Sequence, residues 1–157
     1  MKMFLASSLL ITAIVTTIAA APAKKVRTME NIRGLPTAGL SSVLPPKVYK
    51  KLASEPVKAW IAVQGHVQNS RVVATNVVHS EGNGVYDKAA MQIATGMELY
   101  SPLTESRIPS RVIVHILVYN LPKGEHAIAM AQDDTTSGTN GWLYSRSVRM
   151  RFLGLKQ

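Results

Sequence analysis

The strongest strand signal in the chain lies at residues 111–119, which read Arg-Val-Ile-Val-His-Ile-Leu-Val-Tyr. Every second side chain is a branched aliphatic one, at Val112, Val114, Ile116 and Val118, so one face of the strand is uniformly apolar. The other face is mixed and carries Arg111, Ile113, His115, Leu117 and Tyr119. This asymmetry predicts a sheet that is covered by helices on its aliphatic face only.

Two strands and two helices are predicted before this segment. Residues 57–67 alternate, residues 71–79 are rich in β-branched side chains, and the turn residues at 68–70 join them into a hairpin. Residues 45–53 begin with prolines that suit a first helical turn, and residues 85–97 have a helical apolar stripe. The order predicts a small α+β fold, with an antiparallel sheet of about three strands packed against two helices.

The flanking segments have weaker patterns. Residues 24–42 are broken by Gly34, Pro36 and Gly39, so we expect a flexible tether before a domain at residues 43–121. Residues 122–157 are expected to form a tail with a possible additional β-hairpin, because residues 126–131 are a candidate strand and residues 142–153 alternate at their end.

The first 23 residues are typical of a secretory signal peptide. One positive charge at Lys2 precedes an apolar run at residues 4–20, and small residues at Ala21 and Ala23 suit cleavage after Ala23. The expected location is therefore periplasmic or secreted. An uncleaved anchor in the inner membrane is the alternative, although five Ser and Thr residues interrupt the apolar run.

Composition excludes several classes of protein. The chain has 157 residues and no cysteine, which rules out disulfide scaffolds, cysteine nucleophiles and thiolate metal sites. Its net charge is +9, from 18 basic and 9 acidic side chains. A basic exported protein meets anionic headgroups, cell-wall polymers or acidic protein surfaces, so nucleic acid is not an expected partner. Membrane association is expected only if the leader is retained.

Catalytic patterns are missing from the sequence. There is no Gly-x-Ser-x-Gly elbow, no phosphate-binding glycine loop and no His-Glu-x-x-His. Histidines 66, 79, 115 and 126 are scattered, and the adjacent pair Asp133 and Asp134 lies in a turn-rich stretch. We therefore expect no enzyme, cofactor or metal, and a hydrolase with a dispersed active site is the remaining alternative.

Four short motifs follow one another from the second strand to the aliphatic strand. The second strand ends in Val-Val-His-Ser-Glu-Gly at residues 77–82, and Val-Tyr-Asp-Lys-Ala-Ala at residues 85–90 opens a helix. Tyr-Ser-Pro follows at residues 100–102, and the aliphatic strand ends in Tyr-Asn-Leu at residues 119–121. In these motifs and their order the chain resembles the C-terminal domain of the TonB family of periplasmic energy transducers, and the related TolA domain. The long proline-rich spacer of the family and the histidine of its anchor helix have no counterpart here.

The resemblance implies a function in protein binding. In that family an extended peptide from an outer-membrane receptor adds to the last strand of the core. The partner-binding edge implied for this chain is the strand at residues 111–119, with contacts from Arg111, Ile113, His115, Leu117 and Tyr119. The resemblance also implies a link to envelope transport. The alternative to an exported binding protein is a short energy transducer that is anchored in the membrane. For the edge itself, the alternative is that the tail strand at residues 142–153 already occupies it, because edge strands need cover.

Overall fold

A computed structural model describes residues 26–37, 40–100, 108–134, 142–145 and 151–152. A short 3₁₀ turn at Met29–Asn31 comes first, and three helices are present: α1 (Leu40–Val43), α2 (Pro46–Ser54) and α3 (Asp87–Ala94). Four long strands are β1 (Val57–Gln68), β2 (Arg71–Ser80), β4 (Arg111–Leu121) and β5 (Gly124–Asp133). Three short strands are β3 (Leu99–Tyr100), β6 (Trp142–Ser145) and β7 (Arg151–Phe152).

The long strands form one open antiparallel sheet in the order β2-β1-β4-β5. The short strands extend it beyond β5, where β6 and β7 pair with β5 and β3 pairs with β6. The predicted α+β class, with its small antiparallel sheet and two helices, is confirmed. Strands β1 and β4 lie in the middle of the sheet, and each is hydrogen-bonded on both sides.

The β1–β2 hairpin closes through a tight turn at Asn69 and Ser70. Both residues have positive φ, 50° and 60°, which matches the twist that a two-residue hairpin connection requires. Further along, Gly65 approaches β2 so closely that a Cβ atom there would lie 2.8 Å from Val72 Cγ1. Glycine at this position therefore permits the two strands to pair.

The aliphatic face of the sheet packs against α3, as the sequence predicts. The buried aliphatic side chains of β4 on this face join Tyr86, Ala90 and Ile93 in one core. Helix α3 is shorter than the predicted span because Thr95 already has extended backbone, with ψ of 127°. Small alanines on α3 and β5 let helix and sheet approach each other.

The mixed face is also covered, which the sequence analysis did not expect. A second core joins side chains of the sheet to residues 29–52, and its buried members from that segment are Met29, Ile32, Leu35, Leu40, Leu44 and Leu52. We call residues 26–54 the N-terminal layer. The expectation of a flexible tether at residues 24–42 is wrong for its described residues, because Met29, Ile32, Leu35 and Leu40 are buried in this core.

The expected boundary at residue 121 is wrong as well. Strand β5 follows β4 after Pro122 and Lys123 and pairs with β4 over ten positions, from Leu121–Gly124 to Val112–Asp133. Its residues from Ala127 to Gln132 are buried, so the first part of the expected tail belongs to the core of the domain. The predicted signal peptide lies outside the described residues. Among the helices that the structure describes, none is long and apolar enough to cross a bilayer.

Candidate functional site

The strand expected to bind a partner has no free edge. Across β4, Val114 pairs with Val63 of β1 on one side and with Ala131 of β5 on the other. The expectation of an open edge at residues 111–119 is therefore wrong. The physical reason is the short Pro122-Lys123 connection, which returns the chain directly alongside β4.

The five side chains expected at that edge have different surroundings. Arg111 is exposed and its Nε lies 3.6 Å from Asp134 Oδ2, whereas Ile113 is half-buried. The other three, His115, Leu117 and Tyr119, are buried under the N-terminal layer or within the sheet. As a group they cannot form one accessible binding surface.

The Tyr119 side chain is buried on the mixed face. Its hydroxyl oxygen has no hydrogen-bond partner among the described residues. Burial raises the pKa of the phenol well above 10, and the Glu55 carboxylate raises it further. A neutral hydroxyl without a hydrogen-bond partner in an apolar core destabilises the fold.

His115 is held in a hydrogen-bonded chain inside the sheet. Trp60 Nε1 donates to His115 Nδ1 at 3.3 Å, and His115 Nε2 lies 2.9 Å from Gln132 Oε1. Because the indole nitrogen only donates, Nδ1 accepts, and the ring proton is on Nε2, which donates to Gln132. Burial lowers the pKa of His115, so the ring stays neutral at physiological pH. Both ring nitrogens of His115 are thus engaged with neighbouring side chains of the sheet, which is the arrangement of a structural histidine.

Glu81 connects the end of β2 with the N-terminal layer. Its carboxylate accepts hydrogen bonds from the Arg27 guanidinium and, at 2.7 Å, from the backbone N–H of Trp60. Burial alone raises the pKa of Glu81, but the hydrogen bonds from Arg27 and from the Trp60 backbone outweigh it and leave that pKa lowered. The ion pair between Arg27 and Glu81 therefore holds the start of the described chain against the sheet.

The histidines do not gather into a metal site. The ring of His79 lies 4.1 Å from that of Trp60, whereas His66 Nε2 lies beside Gln68 Nε2 at 3.0 Å. His79 pairs with Ala62 of β1, which lies four positions away from His66 along that strand. Among the described residues, no group of three or more potential metal ligands is close enough to hold an ion.

Among the described residues, the outer side of β2 is a long edge of the sheet with no neighbouring strand over most of its length. At its start, Val72 N–H donates to the Met97 carbonyl at 2.9 Å and the Val72 carbonyl accepts from Gly96 N–H at 2.8 Å. Beyond this point, the backbone of residues 73–80 makes hydrogen bonds only to β1 within the described part of the chain. We call residues 73–80 the β2 edge.

The β2 edge carries neither charged side chains nor proline, two of the features that commonly protect an exposed strand from further pairing. No Lys, Arg, Asp, Glu or Pro occurs between Val72 and Ser80. Natural edges are commonly blocked by such residues. The side chain of Val78 is 48% exposed. Two β-bulges interrupt the β1–β2 pairing and leave Thr75 and Val78 without a partner in β1, and bulges of this kind limit how much of the edge can pair with another strand.

Sequence reasoning missed this edge for a definable reason. It identified β2 as a strand but placed the free edge at the last strand, which is the edge that the family resemblance implies. The uncharged run at residues 72–80 was visible in the sequence and is the signal that could have identified it.

Comparison with known proteins adds no relative to this picture: no family model matches, and neither a curated protein nor a solved structure matches significantly.

Proposed function

We propose that this chain is an exported protein-binding module of the TonB C-terminal type, and that it binds an extended segment of a partner along the β2 edge. The observation that carries the proposal is the uncharged, proline-free outer side of β2, which has no backbone partner beyond Val72 among the described residues. Unpaired N–H and C=O groups in a strand are a template for another strand.

The order of elements supports the resemblance on which the proposal builds. The β1–β2 hairpin, helix α3 and strand β4 follow one another in the order that the resemblance implies. The added strand β5 covers the position that the family leaves for its receptor peptide, so the partner's strand is assigned to the opposite end of the sheet. Export and a link to envelope transport are parts of the same proposal.

The bulges determine how long the added strand can be. Each bulge twists the edge and interrupts regular pairing, so only a few consecutive residues of a partner can bond to it. Each backbone hydrogen bond contributes about 1 kcal/mol net. Affinity must therefore come partly from side chains, and the exposed Val78 offers the apolar contact that a partner side chain would cover.

A pair of valine substitutions tests the proposal. Val78→Lys places a charge on the β2 edge, whereas Val26→Lys places the same charge at a similarly exposed site, 55% exposed, outside the strand. Proteins captured from cell-envelope extracts by the wild-type chain should be lost with Val78→Lys and retained with Val26→Lys. The wild-type complex should also show slowed amide hydrogen exchange at residues 73–80.

Two outcomes contradict the proposal. One is capture of the same partner by the Val78→Lys variant at undiminished affinity, and the other is a complex in which the β2 amides exchange as fast as in the free chain. Mass spectrometry of the mature N-terminus tests export separately: a chain that begins at Lys24 agrees with cleavage of a signal peptide, and an intact leader favours the anchored alternative.

A further inference from the structure

Helix α2 presents a basic face to solvent. Three side chains of α2 face the second core: Leu52 is buried in it, and Val48 and Tyr49 pack against it. Lys47, Lys50 and Lys51 are spaced by three and four residues, so they share the opposite side of the helix, and all three are exposed. Among the described residues, no ion pair involves any of these lysines.

The carboxylates that border this helix do not neutralise the face. Glu30 accepts a hydrogen bond from the Tyr49 hydroxyl at 3.0 Å, on the side of the helix that turns toward the 3₁₀ turn. Glu55 follows the C-terminal end of α2 as its cap residue. The lysine face of α2, which comprises Lys47, Lys50 and Lys51, therefore keeps its positive charge available to an anionic surface.

The start of the described chain lies in the same layer as the lysine face. Residues 29–31 contact α2, and 25 residues precede Val26. These include the apolar run at residues 4–20 and two further lysines, Lys24 and Lys25. The lysine face therefore belongs to the part of the chain that directly follows the apolar segment at residues 4–20 in the sequence.

We propose that the lysine face of α2 docks on the anionic phospholipid headgroups of a membrane surface. Basic side chains beside an anionic bilayer each strengthen binding about fivefold, which corresponds to ~1 kcal/mol. Three lysines give a reversible, salt-sensitive association rather than stable anchoring. The docking does not require the leader to be retained, and it is independent of strand addition at the β2 edge.

Vesicle co-sedimentation tests the docking with the chain as purified from producing cells. Binding is measured on vesicles of phosphatidylcholine alone and on vesicles that also contain phosphatidylglycerol. A triple variant, Lys47→Gln with Lys50→Gln and Lys51→Gln, is compared with a control that removes the same charge elsewhere. The control combines substitutions to Gln at three other exposed basic residues, Arg71, Lys88 and Lys123.

The α2 variant should lose about a hundredfold of its affinity for anionic vesicles, while the control should lose less than about tenfold. Circular dichroism establishes that both variants fold, and binding to neutral vesicles measures any contribution from a retained leader, which both variants share. Equal losses in the two variants would show that only net charge matters and would overturn the proposal. So would absence of charge-dependent vesicle binding, or α2-dependent binding to soluble polyphosphate alone.

Discussion

Replacement of Met29 by alanine tests whether the N-terminal layer belongs to the fold. The Met29 side chain is fully buried, with 0% exposure, in the core that also contains Trp60 and Leu117. Truncating a buried methionine to alanine removes apolar burial and leaves a cavity, which together cost about 2–5 kcal/mol of unfolding free energy. Because a small domain has only about 5–15 kcal/mol in total, this loss is large.

Urea denaturation followed by tryptophan fluorescence measures the effect. With a slope of about 2 kcal/mol per molar urea, a typical value for a small protein, Met29→Ala should lower the unfolding midpoint by roughly 1–2.5 M with an unchanged slope. Val26→Ala is the matched control, because Val26 lies in the same layer but is 55% exposed, and it should change stability by less than about 0.5 kcal/mol. If Met29→Ala had as little effect as the control, the layer would be a tether and the second core would not exist.

Three further substitutions probe single contacts. Glu81→Gln should remove an acid-dependent loss of stability. Because the pKa of Glu81 is lowered in the folded state, the ionised carboxylate stabilises the fold above its unfolded-state pKa near 4.5, and this stabilisation is lost as pH falls through the folded-state pKa. The unfolding free energy of the variant, measured by urea titration, should therefore fall less steeply below pH 4.5 than that of the wild type. Tyr119→Phe removes the unpaired hydroxyl and should leave thermal stability equal or raise it by up to about 1–2 kcal/mol, whereas a marked loss would reveal a hidden partner. Gly65→Ala should lower the melting temperature by an amount equivalent to about 1–3 kcal/mol, because the added Cβ would lie 2.9 Å from the Val73 carbonyl oxygen, and an unchanged melting temperature would contradict that close approach.

Strands β1, β2 and β4 were predictable because their signals are local. Alternation and β-branched side chains mark each of them within about ten residues, and the turn at Asn69 lies between two of them. Helix α2 was predictable for a similar reason, since prolines define both of its ends. These features depend only on neighbouring residues.

The N-terminal layer was not predictable by periodicity. Its buried residues, such as Met29, Ile32 and Leu35, lie on a 3₁₀ turn and irregular backbone, so they follow neither a helical nor a strand period. Gly34 and Pro36 exclude a long helix, yet they do not prevent single apolar side chains from anchoring the segment. A segment without regular structure was therefore mistaken for a segment without packing.

The location of the free edge depends on pairing between distant parts of the chain. Strand β5 is rich in alanine, which is weak in strand propensity, so its ten-residue pairing with β4 left little local signal. His115 and Tyr119 were expected to face a partner because they lie on the mixed face of the strand that the family resemblance implies as the binding edge. The structure buries both, one in a hydrogen-bonded chain and one under the N-terminal layer.

Amide hydrogen exchange of the free chain tests the central claim most directly, because it compares two strands in one experiment. Amides of β4 at residues 112–119 should exchange slowly throughout, since both sides of that strand are paired. Those of residues 73–80 that point away from β1 should exchange orders of magnitude faster, as expected for an unpaired edge. Uniform protection across residues 73–80, or rapid exchange along β4, would contradict the assignment of the open edge to β2.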